Sequence, residues 1–143
     1  MIDAAETFNG TWPFEPKFCH INGFSQHYVD EGEKDKDVLI CLHGEPTWGY
    51  LYRKMIRPLS KHYRVIVPDH MGFGKSETPR NREYSLQAHV ENLTALIEDL
   101  NLRNITFIGQ DWGGPITGAY SLCFPENVKR ICLLNTLLGY GGR

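Results

Sequence analysis

No apolar run in the chain is long enough to span a bilayer. The first residues, Met1 to Gly10, are acidic and polar and lack the apolar segment of a secretory signal, so neither membrane insertion nor export is expected. Neither sign of charge dominates. Lys+Arg 15 against Asp+Glu 17 leaves a formal net charge of -2, which offers no electrostatic footprint for nucleic acid or an anionic membrane. Cysteine is sparse: Cys19, Cys41, Cys123 and Cys132, none in CxxC spacing. That excludes the common zinc and thioredoxin-like patterns. Cys41 and Cys132 lie in apolar, strand-like runs and are expected to be buried free thiols, which suits a reducing, cytoplasmic compartment. There is no internal repeat, low-complexity tract or clear linker, and 143 residues suffice for one compact domain but not clearly for two.

What is present is an alternation of strand-like and helix-like segments. Gln26 to Asp30 alternates polar and apolar residues, which predicts a half-exposed strand. Val38 to Leu42 is continuously apolar, as expected of a buried parallel strand, and ends abruptly in His43-Gly44-Glu45-Pro46. Tyr50 to Leu59 is expected to be helical, with Pro58 near its end. Arg64 to Asp69 predicts a second buried strand, followed by a Gly/Pro-punctuated loop from His70 to Glu83. Leu86, Val90, Leu93, Ile97 and Leu100 recur at steps of four and three, the mark of an amphipathic helix, with Ser85 as its N-cap. Ile105 to Ile108 predicts a third buried strand. A short helix over Ile116 to Phe124 stops before Pro125, Val128 to Leu134 forms a last apolar strand, and a Gly-rich tail runs from Leu137 to Arg143. Such alternation predicts an α/β fold, a mostly parallel sheet with helices on both faces. Ligands of such sheets bind at the carboxyl ends of the strands, where each motif below is placed.

Gly109-Gln110-Asp111-Trp112-Gly113 has the form G-x-D-x-G. In the related G-x-S-x-G elbow the nucleophile sits on a tight strand-to-helix turn that small residues two places away make possible. A carboxylate nucleophile is ionised near neutral pH without a base and suits attack on saturated carbon, giving an ester. The plainer role for Asp111 is to cap the following helix. His43-Gly44-Glu45-Pro46 can aim the backbone N–H of Glu45 at the same centre and form an oxyanion hole with the N–H of Trp112, or it can be an ordinary Gly/Pro turn. His43 is expected to be structural. Asp69-His70-Met71-Gly72-Phe73-Gly74-Lys75-Ser76 ends like a phosphate-binding loop, but that pattern needs glycine where Asp69 stands, so a structural loop beside the site is expected. Arg53, Lys54, Arg57, Lys61 and Arg64 read as a solvated helix face rather than a binding patch.

In order and spacing these motifs resemble those of the α/β-hydrolase superfamily. The stretch His43-Gly44-Glu45-Pro46-Thr47-Trp48-Gly49-Tyr50-Leu51-Tyr52-Arg53-Lys54-Met55-Ile56, with Gln110-Asp111-Trp112-Gly113-Gly114, is similar to the haloalkane dehalogenases, notably their first subfamily. The resemblance runs from about Phe18 to Thr136. It implies that Asp111 attacks the halogen-bearing carbon of a small halogenated alkane. The indole N–H of Trp112 would bind the departing halide, and the Glu45 and Trp112 backbone N–H groups would hold the oxyanion as water hydrolyses the alkyl ester. No metal or organic cofactor is implied. Epoxide hydrolases share the HGxP loop and often an Asp-Trp-Gly elbow, so an epoxide-opening enzyme is the alternative.

The sequence departs from the family in three respects. The family's base is a histidine far beyond the nucleophile, whereas His20, His27, His43, His62, His70 and His89 all precede Asp111. The acid that orients that base is also missing: Asn135 and Thr136 follow the last strand, which fits the first subfamily, whose acid comes later. No helical cap is present. The chain is therefore expected to be the N-terminal part, residues 1–143, of a single α/β-hydrolase domain, truncated after the strand that follows the elbow and incomplete for turnover. Its last strand would be an apolar edge carrying Ile131 and Leu133, open to self-association or a complementing chain. A further alternative is a non-catalytic fragment that acts by binding a partner.

Overall fold

The computed structural model describes residues 1–139; of the glycine-rich tail, positions 140–143 lie outside the described residues. Six strands form one sheet: β1 (Lys17–Ile21), β2 (Phe24–Glu31), β3 (Val38–Leu42), β4 (Arg64–Pro68), β5 (Ile105–Gln110) and β6 (Val128–Leu134). Helices α1 (Arg53–Ser60), α2 (Leu86–Asp99) and α3 (Gly113–Cys123) cover it. The strand order is β1-β2-β4-β3-β5-β6. β1, β2 and β4 pair antiparallel; β4, β3, β5 and β6 pair parallel.

The apolar runs produce this layering because side chains alternate across a strand. Ile40, Leu42, Ile66 and Phe107 face Leu93, Leu96 and Ile97 of α2 and Ile116 and Tyr120 of α3. Leu39, Cys41, Val65, Val67 and Ile108 face the opposite side, against Tyr52, Ile56 of α1 and the N-terminal Trp12 and Phe14. Each large apolar side chain buried in these layers contributes about 1.5–3 kcal/mol relative to exposure. Ser85 caps α2 by accepting from the Ala88 backbone N–H at 3.2 Å, as its sequence position predicts. From β3 the chain steps to β4 on one side, then returns to β5 on the other. Reversals of this kind open a crevice at the strands' carboxyl ends.

Several expectations are corrected. Residues Gln26 to Val29 of β2 are buried rather than half exposed, because the 69–77 loop bonds along them: Gln26 Nε2 and the Ser76 hydroxyl both donate to the Asp69 carbonyl, and Ser76 Oγ accepts from the His27 N–H. β1 is not among the expected strands, although Asn22-Gly23 is a two-residue hairpin signal; β1 pairs with β2 through that turn, both of whose residues have positive φ. The helix expected over Tyr50–Leu59 is split into a 3₁₀ turn, Gly49–Tyr52, and α1, which carries Pro58 inside it. α3 begins at Gly113, three residues earlier than expected. Arg64 leaves the solvated basic face: it is buried and makes a bidentate pair with Asp30, at 3.0 and 2.7 Å. Cys132 is exposed, not buried, because β6 is the sheet's outer strand and most of its residues are solvent-facing. Cys41 lies in the core, where burial, with Cys132 nearby, pushes its thiol up to about 12. On the edge itself Leu133 and Leu134 are exposed and Ile131 is half-buried.

Candidate active site

Parallel register aligns the two motifs. Leu42 pairs with Gly109, so two residues further along each strand Gly44 stands opposite Asp111. Asp111 occupies the left-handed region at φ 51, a conformation Asp tolerates better than most residues but at a cost of about 1–3 kcal/mol. The glycines around it make the turn possible. A Cβ on Gly109 would lie 2.7 Å from the Gly113 carbonyl oxygen, and one on Gly113 would collide with the Leu42 carbonyl. α3 starts directly after the turn, with Trp112 at its N-cap.

The Gly44 loop completes the arrangement. The backbone N–H of Glu45 donates to Oδ2 of Asp111 at 3.0 Å. A Cβ on Gly44 would collide with the Asp111 side chain, coming within 2.6 Å of Oδ2. The Gly44 carbonyl, at the other end of the peptide that carries the Glu45 N–H, accepts from Thr47 Oγ1 at 3.0 Å and bonds His43 Nδ1 at 2.8 Å. The His70 backbone N–H donates to His43 Nε2 at 2.9 Å, so the neutral His43 proton resides on Nδ1 and is given to that carbonyl. The Tyr52 hydroxyl donates to the Leu42 carbonyl at 2.8 Å and secures the end of β3.

Behind the loop lie buried polar groups that make no hydrogen bond to the Asp111 carboxylate. Asp69, fully buried, bonds His27 Nδ1 at 2.8 Å and accepts from the N–H groups of Gly49 at 2.7 Å and Lys75 at 2.9 Å. It ties the 69–76 loop to the start of the Gly49 turn, as the expected structural loop should. His43, His70 and His89 form a buried column with ring centroids 4.1 and 5.3 Å apart. Burial holds His43 below its ordinary value despite Asp69 and the Gly44 carbonyl. Burial first, then the neighbouring imidazoles, keep His70 well below it and His89 below it.

Asp111 and Trp112 line a cavity of about 180 Å³ together with Pro115, Asn135, Thr136 and Leu137. Among the described residues no histidine lines this cavity or bonds Asp111, and no hydrogen bond runs from the Trp112 backbone N–H to the carboxylate. Glu45 and Asp111 are thus joined directly, and Trp112 flanks them. Thr136, which is not among the residues expected at the site, also reaches it. Its hydroxyl donates to the Asp111 carbonyl at 2.5 Å, and nothing in the local sequence signals that contact. Among the described residues no His, Cys, Asp and Glu cluster is arranged to hold a metal ion, and no helix is long and apolar enough to cross a membrane.

Comparison with known proteins gives this geometry a setting. The alpha/beta hydrolase fold family matches residues 37–140. A haloalkane dehalogenase of Psychrobacter cryohalolentis is 45% identical over 135 residues, covering 90% of this chain and 45% of that protein. A cis-3-alkyl-4-alkyloxetan-2-one decarboxylase of Shewanella oneidensis is 39% identical over 127 residues, 87% of this chain and 39% of that protein. The structure of the tetrameric haloalkane dehalogenase DpaA from Paraglaciecola agarilytica superposes with a TM-score of 0.80 at 38% identity, over 85% of this chain and 43% of that one. The chain therefore spans less than half the length of these relatives.

Proposed function

Because the chain belongs to the α/β-hydrolase fold family, we propose that it is the nucleophile-bearing part of a hydrolase acting on halogenated alkanes. The observation that carries this reading is the hydrogen bond from the Glu45 N–H to Oδ2 of Asp111 at 3.0 Å. It orients the carboxylate and leaves Oδ1 for attack. Asp111 forms a C–O bond to the halogen-bearing carbon as the carbon–halogen bond breaks and halide departs with the electron pair. The indole N–H of Trp112, beside the same cavity, donates to that halide where negative charge develops. Water then attacks the ester carbonyl, the Glu45 and Trp112 N–H groups hold the oxyanion, and the alcohol leaves. No residue of this chain is assigned as the base for that second step. The 45% identical dehalogenase supports the substrate class.

The test is intact-mass measurement of the chain after exposure to bromoethane. An ethyl adduct is expected in the wild type and not in Asp111→Ala. An adduct of equal yield in that variant would place the reaction elsewhere.

A second reading is favoured by the 39% identical decarboxylases. The carbon bearing the ring oxygen of an oxetan-2-one also carries a leaving group, the ring carboxylate, and attack by Asp111 there would open the ring to an ester. Adduct formation with a cis-3-alkyl-4-alkyloxetan-2-one but not with bromoethane would select this reading; adduct formation with an epoxide alone would select epoxide opening. No adduct with any of the three would favour a non-catalytic fragment. The four free thiols suit a cytoplasmic location, and the exposed edge of β6, with Leu133 and Leu134, is the surface through which a second copy or a complementing chain would pair.

A further inference from the structure

Each N–H group assigned to the oxyanion lies on a peptide whose carbonyl is held. For Glu45 that carbonyl belongs to Gly44 and is gripped by His43 and Thr47. For Trp112 it belongs to Asp111. The Asp111 carbonyl accepts from the Gly114 N–H at 3.0 Å, a bond local to the turn, and from the Thr136 hydroxyl at 2.5 Å. Thr136 comes from a different part of the fold, the segment after β6, 25 residues away. It reaches the turn because Asn135 adopts φ 47 and because Gly114 has no side chain, since a Cβ there would collide with Thr136. A peptide is planar and trans, so the direction of a carbonyl fixes the opposite direction of the N–H on the same plane.

We propose that Thr136 is a positioning residue for ester hydrolysis: its hydroxyl, by holding the Asp111 carbonyl, aims the Trp112 backbone N–H at the oxyanion. The proposal deepens the reading of Asp111 as nucleophile and rests on it. The two chemical steps respond differently. In the first, negative charge leaves the Asp111 carboxylate for the departing halide, so little is asked of the Trp112 N–H. In the second, hydroxide adds to the ester carbonyl, full charge forms on its oxygen, and collapse breaks the acyl C–O bond, releases the alcohol and restores the carboxylate. Misaiming one oxyanion donor therefore slows the second step and spares the first. A threonine that only fills space would not separate the steps, and its hydroxyl would not matter.

The experiment uses the full chain as wild type, Thr136→Val and Thr136→Ser. Each is alkylated with bromoethane, freed of excess reagent and followed by intact mass in alkaline buffer, where hydroxide serves as nucleophile. Thr136→Val is expected to gain the adduct within about twofold of the wild-type rate but to lose it about tenfold more slowly, the scale of a weakened oxyanion donor. Thr136→Ser, which keeps the donor, should match the wild type in both steps. Equal adduct loss in wild type and Thr136→Val, or loss in Thr136→Ser as slow as in Thr136→Val, overturns the proposal. A second readout separates its failure from that of the nucleophile assignment. The Trp112 backbone amide ¹⁵N resonance should move upfield in Thr136→Val and stay in place in Thr136→Ser. A wild type that takes no adduct sinks the assignment of Asp111, and an unmoved Trp112 resonance in Thr136→Val sinks that of Thr136.

Discussion

Glu45 and Asp111 are 66 residues apart in sequence, yet the backbone N–H of the first donates to the carboxylate of the second at 3.0 Å. The contact depends on what Gly44 lacks, because a Cβ there would occupy the space of the Asp111 side chain. Gly44→Ala is therefore expected to push Asp111 off its rotamer and slow alkylation by bromoethane at least about tenfold, since misplacement by an ångström can cost about a hundredfold. The ratio of adduct rates in variant and wild type measures this, and equal rates would mean that the loop yields without disturbing the carboxylate.

The histidine column sets an acid limit on stability. His43, His70 and His89 are all held below the ordinary value of 6.5, chiefly by burial. The charged groups around them are already committed: Asp69 to His27, Gly49 and Lys75. About a unit or more above 6.5 the three imidazoles are essentially neutral whether the chain is folded or not, so they leave stability unchanged. Below 6.5 the unfolded chain binds protons that the folded column refuses, and stability falls with pH by up to about 1.4 kcal/mol per unit for each proton taken up on unfolding. Urea unfolding at about pH 7.5 and about pH 5.5 should show an uptake of more than about one proton on unfolding. A flat profile across that window would contradict the burial of the column.

Asp69 is expected to be a stability residue rather than a reactive one. Replacing it with alanine leaves His27, the Gly49 N–H and the Lys75 N–H without their acceptor. An unsatisfied buried polar group costs about 1–3 kcal/mol, so Asp69→Ala should lose at least about 3 kcal/mol in urea unfolding. Asp69→Asn keeps one acceptor oxygen and should lose less. A loss below about 1 kcal/mol for the alanine variant would show that the orphaned donors are readily rescued.

Continuous apolar runs marked β3, β4 and β5, and glycine spacing marked the elbow and the Gly44 loop, because both signals act within a few residues. What escaped depends on distant neighbours. The polar alternation of β2 suggested exposure, but the loop around Ser76 covers it. Arg64 looked like one more surface cation until Asp30 came beside it. Cys132 sits in an apolar run as Cys41 does, yet their exposures are opposite, because one strand is central and the other lies at an edge. Asp111 and Glu45 could be picked out as candidate site residues for the same local reason. Thr136 could not, since its contact with the Asp111 carbonyl exists only once the segment after β6 folds back on the turn.

The lateral order of the strands also constrains how the sheet assembles. β4 inserts between β2 and β3, but β5 and then β6 each join an open margin. Chains emerge from the ribosome amino end first, so once β4 is in place no later strand has to part an existing pair. Among the described residues, every hydrogen-bond partner of Asp111 except Thr136 precedes it or lies in its own turn. The Asp111 carboxylate can meet its Glu45 donor as soon as β5 docks, and the grip on the Asp111 carbonyl closes last, as a latch does, when the segment behind β6 arrives.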